Sequence, residues 1–264
     1  MKGESWLDTP FTRHAGVAVP IICGPMYPCS NPVLVAAVSE AGGLGVVQPV
    51  SLTYVYGYEY RAGLRYIRSL TTRPIGMNAL IEKSSRRYHQ RMVRWVEQSL
   101  EEGVRFFITS LGNPDWVVRR VHAAGGVVYH DATERKWARK GLDAGVDGLI
   151  AVNDRAGGHA GFRSAAGLHE ELSDLGLPLI CAGGIGSEAD FVEALRTGYA
   201  GVQMGTRFIA TPECKVPDNY KEAIVQAEAT DIVRTERLTG IPVSVIRTPG
   251  TEKAGLKTRP VERW

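Results

Sequence analysis

Two glycine-rich turns late in the sequence have the composition of a phosphate-binding site. They cover residues 182–186 and 203–207, and their candidate binding residues are Gly183, Gly184, Gln203, Met204, Gly205 and Thr206. Small residues leave main-chain N–H groups open, and such groups attract phosphate through their partial positive charge, as helix N-termini do. Either turn alone also fits a plain tight turn. Two such turns after consecutive apolar runs predict a site for phosphate or a phosphorylated cofactor.

A third glycine-rich segment, residues 153–161, contains a histidine among small residues. His159 follows Gly157 and Gly158, whose backbone can pass close to a flat ligand. A neutral imidazole accepts a proton near pH 7, so His159 is a candidate general base. The alternative is an exposed loop histidine without a chemical role. His130 is intermediate between these interpretations, and the remaining histidines of interest are interpreted as structural: His14, His89, His122 and His169.

Early segments offer groups that could border a planar ring. Gly24, Pro25 and Met26 form a rigid turn with a soft apolar side chain. Asn78 follows an apolar run, and its amide both donates and accepts hydrogen bonds, which suits a heteroaromatic ring or a phosphate. A plain turn and a buried, satisfied Asn are the alternatives. Four tyrosines at alternate positions from 54 to 60 either line a substrate pocket or pack the rim of the fold.

The elements that must position these residues alternate between short apolar runs and amphipathic segments. Eight runs are strand-like: residues 17–23, 44–47, 75–80, 104–109, 126–130, 147–152, 178–182 and 200–204. Helical patterns separate them, and one helix is predicted to start at Pro114 with Asn113 as its N-cap. Eight strand–helix units favour an α/β fold, a (β/α)8 TIM barrel in a single domain with a short C-terminal tail, over an open doubly wound sheet. In a barrel the loops after the strands form the site.

The composition excludes several classes of function. The net charge is +3, from 31 basic and 28 acidic residues without a basic stripe, so no nucleic-acid partner is expected. No apolar run is long enough to span a membrane, and the first residues, MKGESWLDTPF, lack a hydrophobic signal core. We therefore expect a cytoplasmic protein with reduced thiols. The four cysteines lack metal-ligand spacing and are interpreted as buried apolar residues, and no metal site is predicted.

Taken together, these motifs resemble the nitronate monooxygenase family of FMN-dependent barrels. The matching segments are GPM at 24–26, EAGGLG at 40–45, GMN at 76–78, AGGHAG at 156–161, AGGI at 182–185, VQMGTRF at 202–208 and TGIPVSVIRTP at 239–249. The order AGGH, AGGI, QMGTRF is specific to the family. The resemblance covers about residues 10–250, and it implies one FMN-binding domain, 1–264, with a barrel core at about 15–230 and a closing segment and tail at 231–264.

The resemblance implies an FMN cofactor and roles for the motif residues. The residues that would hold the phosphate region of FMN are Gly183, Gly184, Gln203, Gly205 and Thr206. The residues that would border the flavin are Pro25, Met26, Asn78 and Gly157. His159 corresponds to the family's histidine, proposed as the base that removes the α-proton of a neutral nitroalkane. The implied reaction uses O2 and converts an alkyl nitronate, such as propionate 3-nitronate, to a carbonyl compound and nitrite.

The chain also departs from the family pattern. Asp131 stands where some reductase-like relatives have a lysine that helps hold the flavin, and Ala160 stands where relatives often have an arginine. Many relatives are longer and cover the barrel mouth with extra helices. The shorter chain therefore predicts a more open mouth, or a mouth covered by the second subunit of a homodimer.

Three other functions are compatible with these residues. The first is an NAD(P)H-dependent flavin reductase acting on a quinone or an enoyl thioester, although the sequence has no clear dinucleotide-binding glycine motif. The second is a flavin-free barrel enzyme such as a phosphosugar isomerase or aldolase, which usually needs an acidic base or a Schiff-base lysine at a strand end. The third is a flavin carrier without catalytic activity, in which His159 is dispensable.

Overall fold

Eight parallel strands close into a barrel, because the first of them pairs with the last as well as with the second. The computed structural model describes residues 6–82, 85–237, 240 and 242–255. The strands are β1 (Ile21–Cys23), β2 (Leu44–Val47), β3 (Ile75–Ile81), β4 (Phe106–Leu111), β5 (Val127–Ala132), β6 (Gly148–Val152), β7 (Gly158–His159), β8 (Leu179–Ala182), β9 (Gly201–Met204), β10 (Ile232–Thr235) and β11 (Val243–Ile246). All except β7, β10 and β11 belong to the barrel, so the predicted (β/α)8 fold is confirmed.

Helices connect the barrel strands and cover their outer surface. They are α1 (Pro10–Ala15), α2 (Pro32–Glu40), α3 (Tyr60–Leu70), α4 (Arg86–Glu101), α5 (Asp115–Ala123), α6 (Arg135–Asp143), α7 (Ala165–Leu172), α8 (Glu188–Thr197), α9 (Thr206–Ile209), α10 (Asp218–Gln226) and α11 (Pro249–Gly255). Ser85, Ser164 and Ser187 cap α4, α7 and α8, since each hydroxyl accepts a hydrogen bond from a main-chain N–H of the first turn. Within the described residues, no helix is both long and apolar enough to cross a membrane.

Side-chain alternation along the strands separates an inner core from an outer one. On β5, Tyr129 points into the barrel and packs with Phe106 and Ile150, whereas Val128 packs against the helical layer. The same alternation turns Asp131 inward at the carboxyl end of β5 and His130 outward. Position along a strand therefore decides which polar residues reach the mouth of the barrel.

Several predicted boundaries differ from the structure, and two of the differences have identifiable reasons. The first strand begins at Ile21 rather than residue 17, because the N–H groups of Ala18 and Val19 bond to the carbonyl of Gly42 in a turn instead of a strand. Helix α5 begins at Asp115 with Pro114 as its N-cap residue. Asn113 stands one residue earlier, and its Oδ1 accepts the N–H of Asp115 at 3.0 Å. The capping side chain is therefore that of Asn113, as predicted, but Asn113 stands one residue before the N-cap position of the helix.

The four tyrosines pack the rim of the barrel and do not share one pocket face. A π-helical turn, Ser51–Val55, scatters the rings. Tyr56 donates to the carbonyl of Pro28, Tyr58 stacks on Tyr66, and Tyr60 is buried with its hydroxyl bonded to Ser99. All four cysteines are buried and free, which confirms their interpretation as core residues.

A small antiparallel sheet outside the barrel brings the C-terminal part of the chain to the loop after β6. Strand β11 pairs with β10 on one side and with β7 on the other, in the order β10-β11-β7. The predicted closing segment and tail, 231–264, are described through residue 255 except for residues 238–239 and 241; the remainder lies outside the described residues. The closing segment therefore pairs with the strand that contains His159.

Candidate functional site

The two glycine turns lie side by side, because the strands that precede them are neighbours in the barrel. Residue Ala182 at the end of β8 pairs in register with Gln203 on β9. Gly183 and Gly184 have φ values of +117° and +74°, a region that L side chains rarely adopt. The first turn thus needs glycine for its conformation, and it stands next to the turn formed by Gly205 and Thr206.

The loop after β6 is fixed onto the first glycine turn by a buried amide. Asn153 donates from Nδ2 to the carbonyl of Gly183 at 2.9 Å, and its Oδ1 accepts the N–H of Arg155 at 2.8 Å. A Cβ on Gly183 would stand only 2.4 Å from that Oδ1, so the close approach also requires glycine. Asn153 is fully buried, and its satisfied hydrogen bonds hold the loop in place.

Arg155 is a cation at the glycine turn that sequence reasoning did not single out. A Cβ on Gly184 would lie 2.8 Å from Nε of Arg155, so the guanidinium group lies against the turn. Its charge reaches Asp190 at the start of α8, whose pKa is lowered mainly by the hydrogen bond from Ser187, with Arg155 adding to the effect. The sequence could have indicated Arg155 as a site residue, because it stands in a polar loop directly after a strand. Its contact with Gly184, however, could not be predicted from the sequence, because the two residues lie on different barrel loops.

The turn after β1 joins the same group of residues. Gly24 donates its N–H to the carbonyl of Met204 at 2.9 Å. A Cβ on Gly205 would meet Sδ of Met26 at 3.2 Å, and a Cβ on Gly157 would meet Oγ1 of Thr206 at 3.0 Å. The predicted residues of the first, sixth and last barrel loops therefore meet at one end of the barrel.

A short chain of polar side chains lines the inner wall at the same end. Nδ2 of Asn78 lies 3.3 Å from Oγ of Ser110, and Ser110 donates to Oδ2 of Asp131 at 2.6 Å. The other carboxyl oxygen of Asp131 is sealed from solvent and has no partner among the described residues. The same holds for Oε1 of Gln203, which also faces inward. Five side-chain atoms of the described residues are buried without a partner, and these two belong to residues on barrel strands. They are therefore candidates for hydrogen bonds to a ligand at this end of the barrel.

Burial changes the protonation of Asp131. Removal from solvent raises the pKa of its carboxyl to about 6, and the hydrogen bond from Ser110 opposes that rise only in part. No lysine, arginine or histidine among the described residues contributes to this pKa. Asp131 therefore exchanges its proton close to neutral pH.

His159 lies on β7, where it pairs with Val243 of β11. The residue is exposed overall, but partial burial of its ring lowers its pKa below the ordinary value, so the imidazole is neutral at pH 7. His130 has a different environment: it is buried on the outer face of β5, Nδ1 lies 2.8 Å from Oγ1 of Thr109, and burial lowers its pKa to about 4. His130 is therefore structural, while the chemical role of His159 stays a prediction.

The raised pKa of Asp131 predicts a pH-dependent stability difference for Asp131→Asn. The unfolded carboxyl titrates near its ordinary value of 3.8, so between pH 4 and pH 6 unfolding releases a proton and the parent protein loses stability. Above that range the loss is complete, on the order of 2–3 kcal/mol. We expect Asp131→Asn to be more stable than the parent by this amount at pH 8 and by far less at pH 4.

Urea unfolding at pH 4, 6 and 8 measures this difference. Asp143→Asn on α6 changes an exposed carboxyl and serves as the matched control. An Asp131→Asn difference that is equal at pH 4 and pH 8 would contradict the assignment of the buried acid.

Comparisons with known proteins agree with this geometry. The sequence model of a family described as nitronate monooxygenase matches residues 8–263. The chain is 32% identical over 251 residues to a Mycobacterium tuberculosis protein named (3aS,4S,5R,7aS)-5-hydroxy-7a-methyl-1-oxo-octahydro-1H-indene-4-carboxyl-CoA dehydrogenase, covering 94% of this chain and 68% of the relative. It is 30% identical over 273 residues to nitronate monooxygenase of Pseudomonas aeruginosa, covering 87% of this chain and 77% of the relative.

Solved structures give the same result for the fold. FabK from Thermotoga maritima is similar with a TM-score of 0.82 and 32% identity, over 93% of this chain and 76% of that one. A nitroalkane oxidase from Streptomyces ansochromogenes has a TM-score of 0.81 at 24% identity, over 93% and 81%, which supports the fold alone. With its closed barrel, its converging glycine turns and a family match over nearly all of its length, this chain is an oxidoreductase of the nitronate monooxygenase family.

Proposed function

We propose that this protein is an FMN-dependent oxidoreductase that oxidises alkyl nitronates with O2 to a carbonyl compound and nitrite. The observation that supports this most strongly is the meeting of two phosphate-type glycine turns with the His159 strand at one end of the barrel. The family match and the 30% identity to the P. aeruginosa nitronate monooxygenase support the reaction class. This arrangement supports a common site for the predicted residues.

The residues at the barrel mouth fit FMN. A Cβ on Gly183 would lie 2.4 Å from Asn153 and one on Gly184 2.8 Å from Arg155, so glycine lets these side chains approach the first turn closely. Gly205 of the second turn directly precedes the start of α9. Main-chain N–H groups there suit a phosphate, and Arg155 adds a positive charge beside them. The unpartnered Oε1 of Gln203 and Oδ1 of Asp131 offer hydrogen-bonding sites for the polar edges of a flavin.

In this proposal, bound FMN would supply the acceptor for an electron from the nitronate, with O2 as the final oxidant. Gly183, Gly184 and Thr206 bind the phosphate end, and Asn153 keeps the loop after β6 against them. A ring nitrogen of His159 accepts the α-proton of a neutral nitroalkane, which the lowered pKa permits at pH 7. For a nitronate, which has already lost this proton, His159 orients the substrate through a hydrogen bond.

A second candidate is an oxidoreductase acting on a coenzyme A thioester or a related enoyl substrate, with NAD(P)H as electron donor. The observation in its favour is the 32% identity to the M. tuberculosis protein whose name specifies a carboxyl-CoA dehydrogenase, together with the similarity to FabK. Exposed aromatic rings of Tyr27 and Phe162 on the site loops would suit a larger, partly apolar substrate.

Anaerobic flavin reduction separates these two functions on one sample. We expect the purified protein to bind FMN and to be yellow. Propionate 3-nitronate should bleach the flavin absorbance faster than NADH or NADPH does, because the substrate itself is the electron donor in the first proposal. Faster bleaching by a nicotinamide would favour the second candidate, and a protein that takes up no FMN would remove both.

Arg155 should distinguish FMN from riboflavin, which lacks the phosphate. We expect Arg155→Leu to weaken FMN binding about tenfold, because a charge-assisted contact to phosphate is lost at a partly solvated position. Riboflavin binding should stay unchanged. Flavin fluorescence titration measures both constants, with Arg94→Leu on α4 as an exposed control. Equal weakening for both flavins would show that Arg155 supports the loop and does not contact phosphate.

His159→Ala tests whether His159 is the general base that removes the α-proton of a neutral nitroalkane. We expect retained FMN binding and a turnover of neutral nitroalkanes reduced about 10²–10⁴-fold, the range typical for loss of a general base. Turnover of preformed nitronates should fall much less, since no proton has to be removed. Steady-state O2 consumption with both substrates gives the ratio, and His89→Ala on α4 serves as the control. An unchanged nitroalkane rate would exclude His159 as the base.

A further inference from the structure

The polar chain on the inner wall contains one group, Asp131, whose protonation state the proposed mechanism does not specify. Asp131 points inward from β5, directly above the buried layer that contains Tyr129, and its Oδ1 has no partner among the described residues. We propose that Asp131 binds the flavin ring as a neutral carboxylic acid, donating the proton on Oδ1 to a carbonyl oxygen or ring nitrogen of the isoalloxazine. This inference rests on the FMN part of the proposed function and adds a protonation requirement to it.

The direction of the hydrogen bonds places the acid proton on Oδ1. Nδ2 of Asn78 must donate, because it faces both the carbonyl of Ile108 at 3.4 Å and Oγ of Ser110 at 3.3 Å. Oγ of Ser110 therefore accepts from Asn78 and gives its own proton to Oδ2 of Asp131. With Oδ2 occupied as an acceptor, Oδ1 is the oxygen left to hold a proton and to donate it.

The surroundings of Asp131 favour the neutral form over the carboxylate. The neighbouring inward positions are Ser110 on β4, Ile150 on β6 and Tyr129 on β5 itself, and none of them carries a positive charge. The nearest ionisable ring in sequence, His130, points to the outer face and bonds to Thr109. A ligand that covered the mouth would exclude further water, which disfavours the carboxylate still more. The pKa of about 6 is consistent with this arrangement.

The expected partner of this acid is an uncharged heteroaromatic acceptor and not the phosphate. The glycine turns follow β8 and β9, and β6 lies between β8 and β5 in the barrel order. Arg155 belongs to the loop after β6, but its guanidinium group lies against Gly184 of the first glycine turn. The barrel thus presents positive groups at one side of its mouth and a neutral donor at another. An isoalloxazine ring provides two carbonyl oxygens and ring nitrogens that accept hydrogen bonds from a neutral acid. An anion at this position would instead be repelled as soon as Asp131 loses its proton.

Flavin binding as a function of pH tests the proposal. Riboflavin is the probe, because the phosphate of FMN itself titrates near pH 6. Fluorescence titration at pH 5 and pH 8 should show binding to the parent protein at least tenfold weaker at pH 8, since each pH unit above the pKa removes about nine-tenths of the neutral acid. Asp131→Asn keeps a donor at this position without a titration, so it should bind equally at both pH values. Asp131→Leu should bind weakly at both.

Several outcomes would overturn the proposal. The first is a riboflavin affinity of the parent protein that does not change with pH. The second is an Asp131→Asn variant that binds riboflavin as weakly as Asp131→Leu does. The third is an Asp131→Leu variant that binds riboflavin as tightly as the parent. Any of these would leave the FMN proposal standing, whereas a protein that binds no flavin at either pH would remove both. Asp143→Asn is the matched control and should behave as the parent. Melting curves at pH 5 identify any variant that fails to fold, and Asp131→Asn preserves the test in that case.

Discussion

Closure of the barrel between β1 and β9 is the constraint on which the site depends. It places the turn after β1 beside the turn after β9, so that Gly24 can donate to the carbonyl of Met204. Parallel pairing of β8 with β9 then sets the two glycine turns next to each other. Because every barrel strand runs in the same direction, all of these loops emerge at one end. Without closure, the first and last loops would lie at opposite edges of an open sheet.

Asn153 transmits that constraint to the loop that precedes His159. Its side chain bonds to the main chain of Gly183 and Arg155, and its own N–H bonds to the carbonyl of Ala182. Beyond this point β7 pairs with β11, so the histidine strand is held from the barrel side and from the C-terminal side. The backbone of His159 is therefore positioned by two distant parts of the chain and not by its loop alone.

The charges of the site are arranged unevenly around the mouth. Arg155 and the two glycine turns lie by the last two barrel strands. Asp131 lies on β5, and no cation of the described residues contributes to its pKa. A ligand with an anionic end and a neutral, hydrogen-bonding ring matches this distribution, which is the chemical form of FMN. A carboxyl held without a counter-charge costs stability, and such costs are concentrated at functional sites.

The sequence by itself determined the barrel, its eight strands and the residues of the glycine turns. Apolar runs at regular spacing leave few other ways to bury a core. Glycine at 183 and 184 indicates a backbone with positive φ, which other residues rarely adopt. Only the tertiary structure decided which side chains meet. The contact of Arg155 with Gly184, the bond from Ser110 to Asp131 and the pairing of His159 with Val243 join residues that are 21 to 84 positions apart. Such contacts depend on strand register and on the inward or outward direction of each side chain, which only the closed barrel fixes.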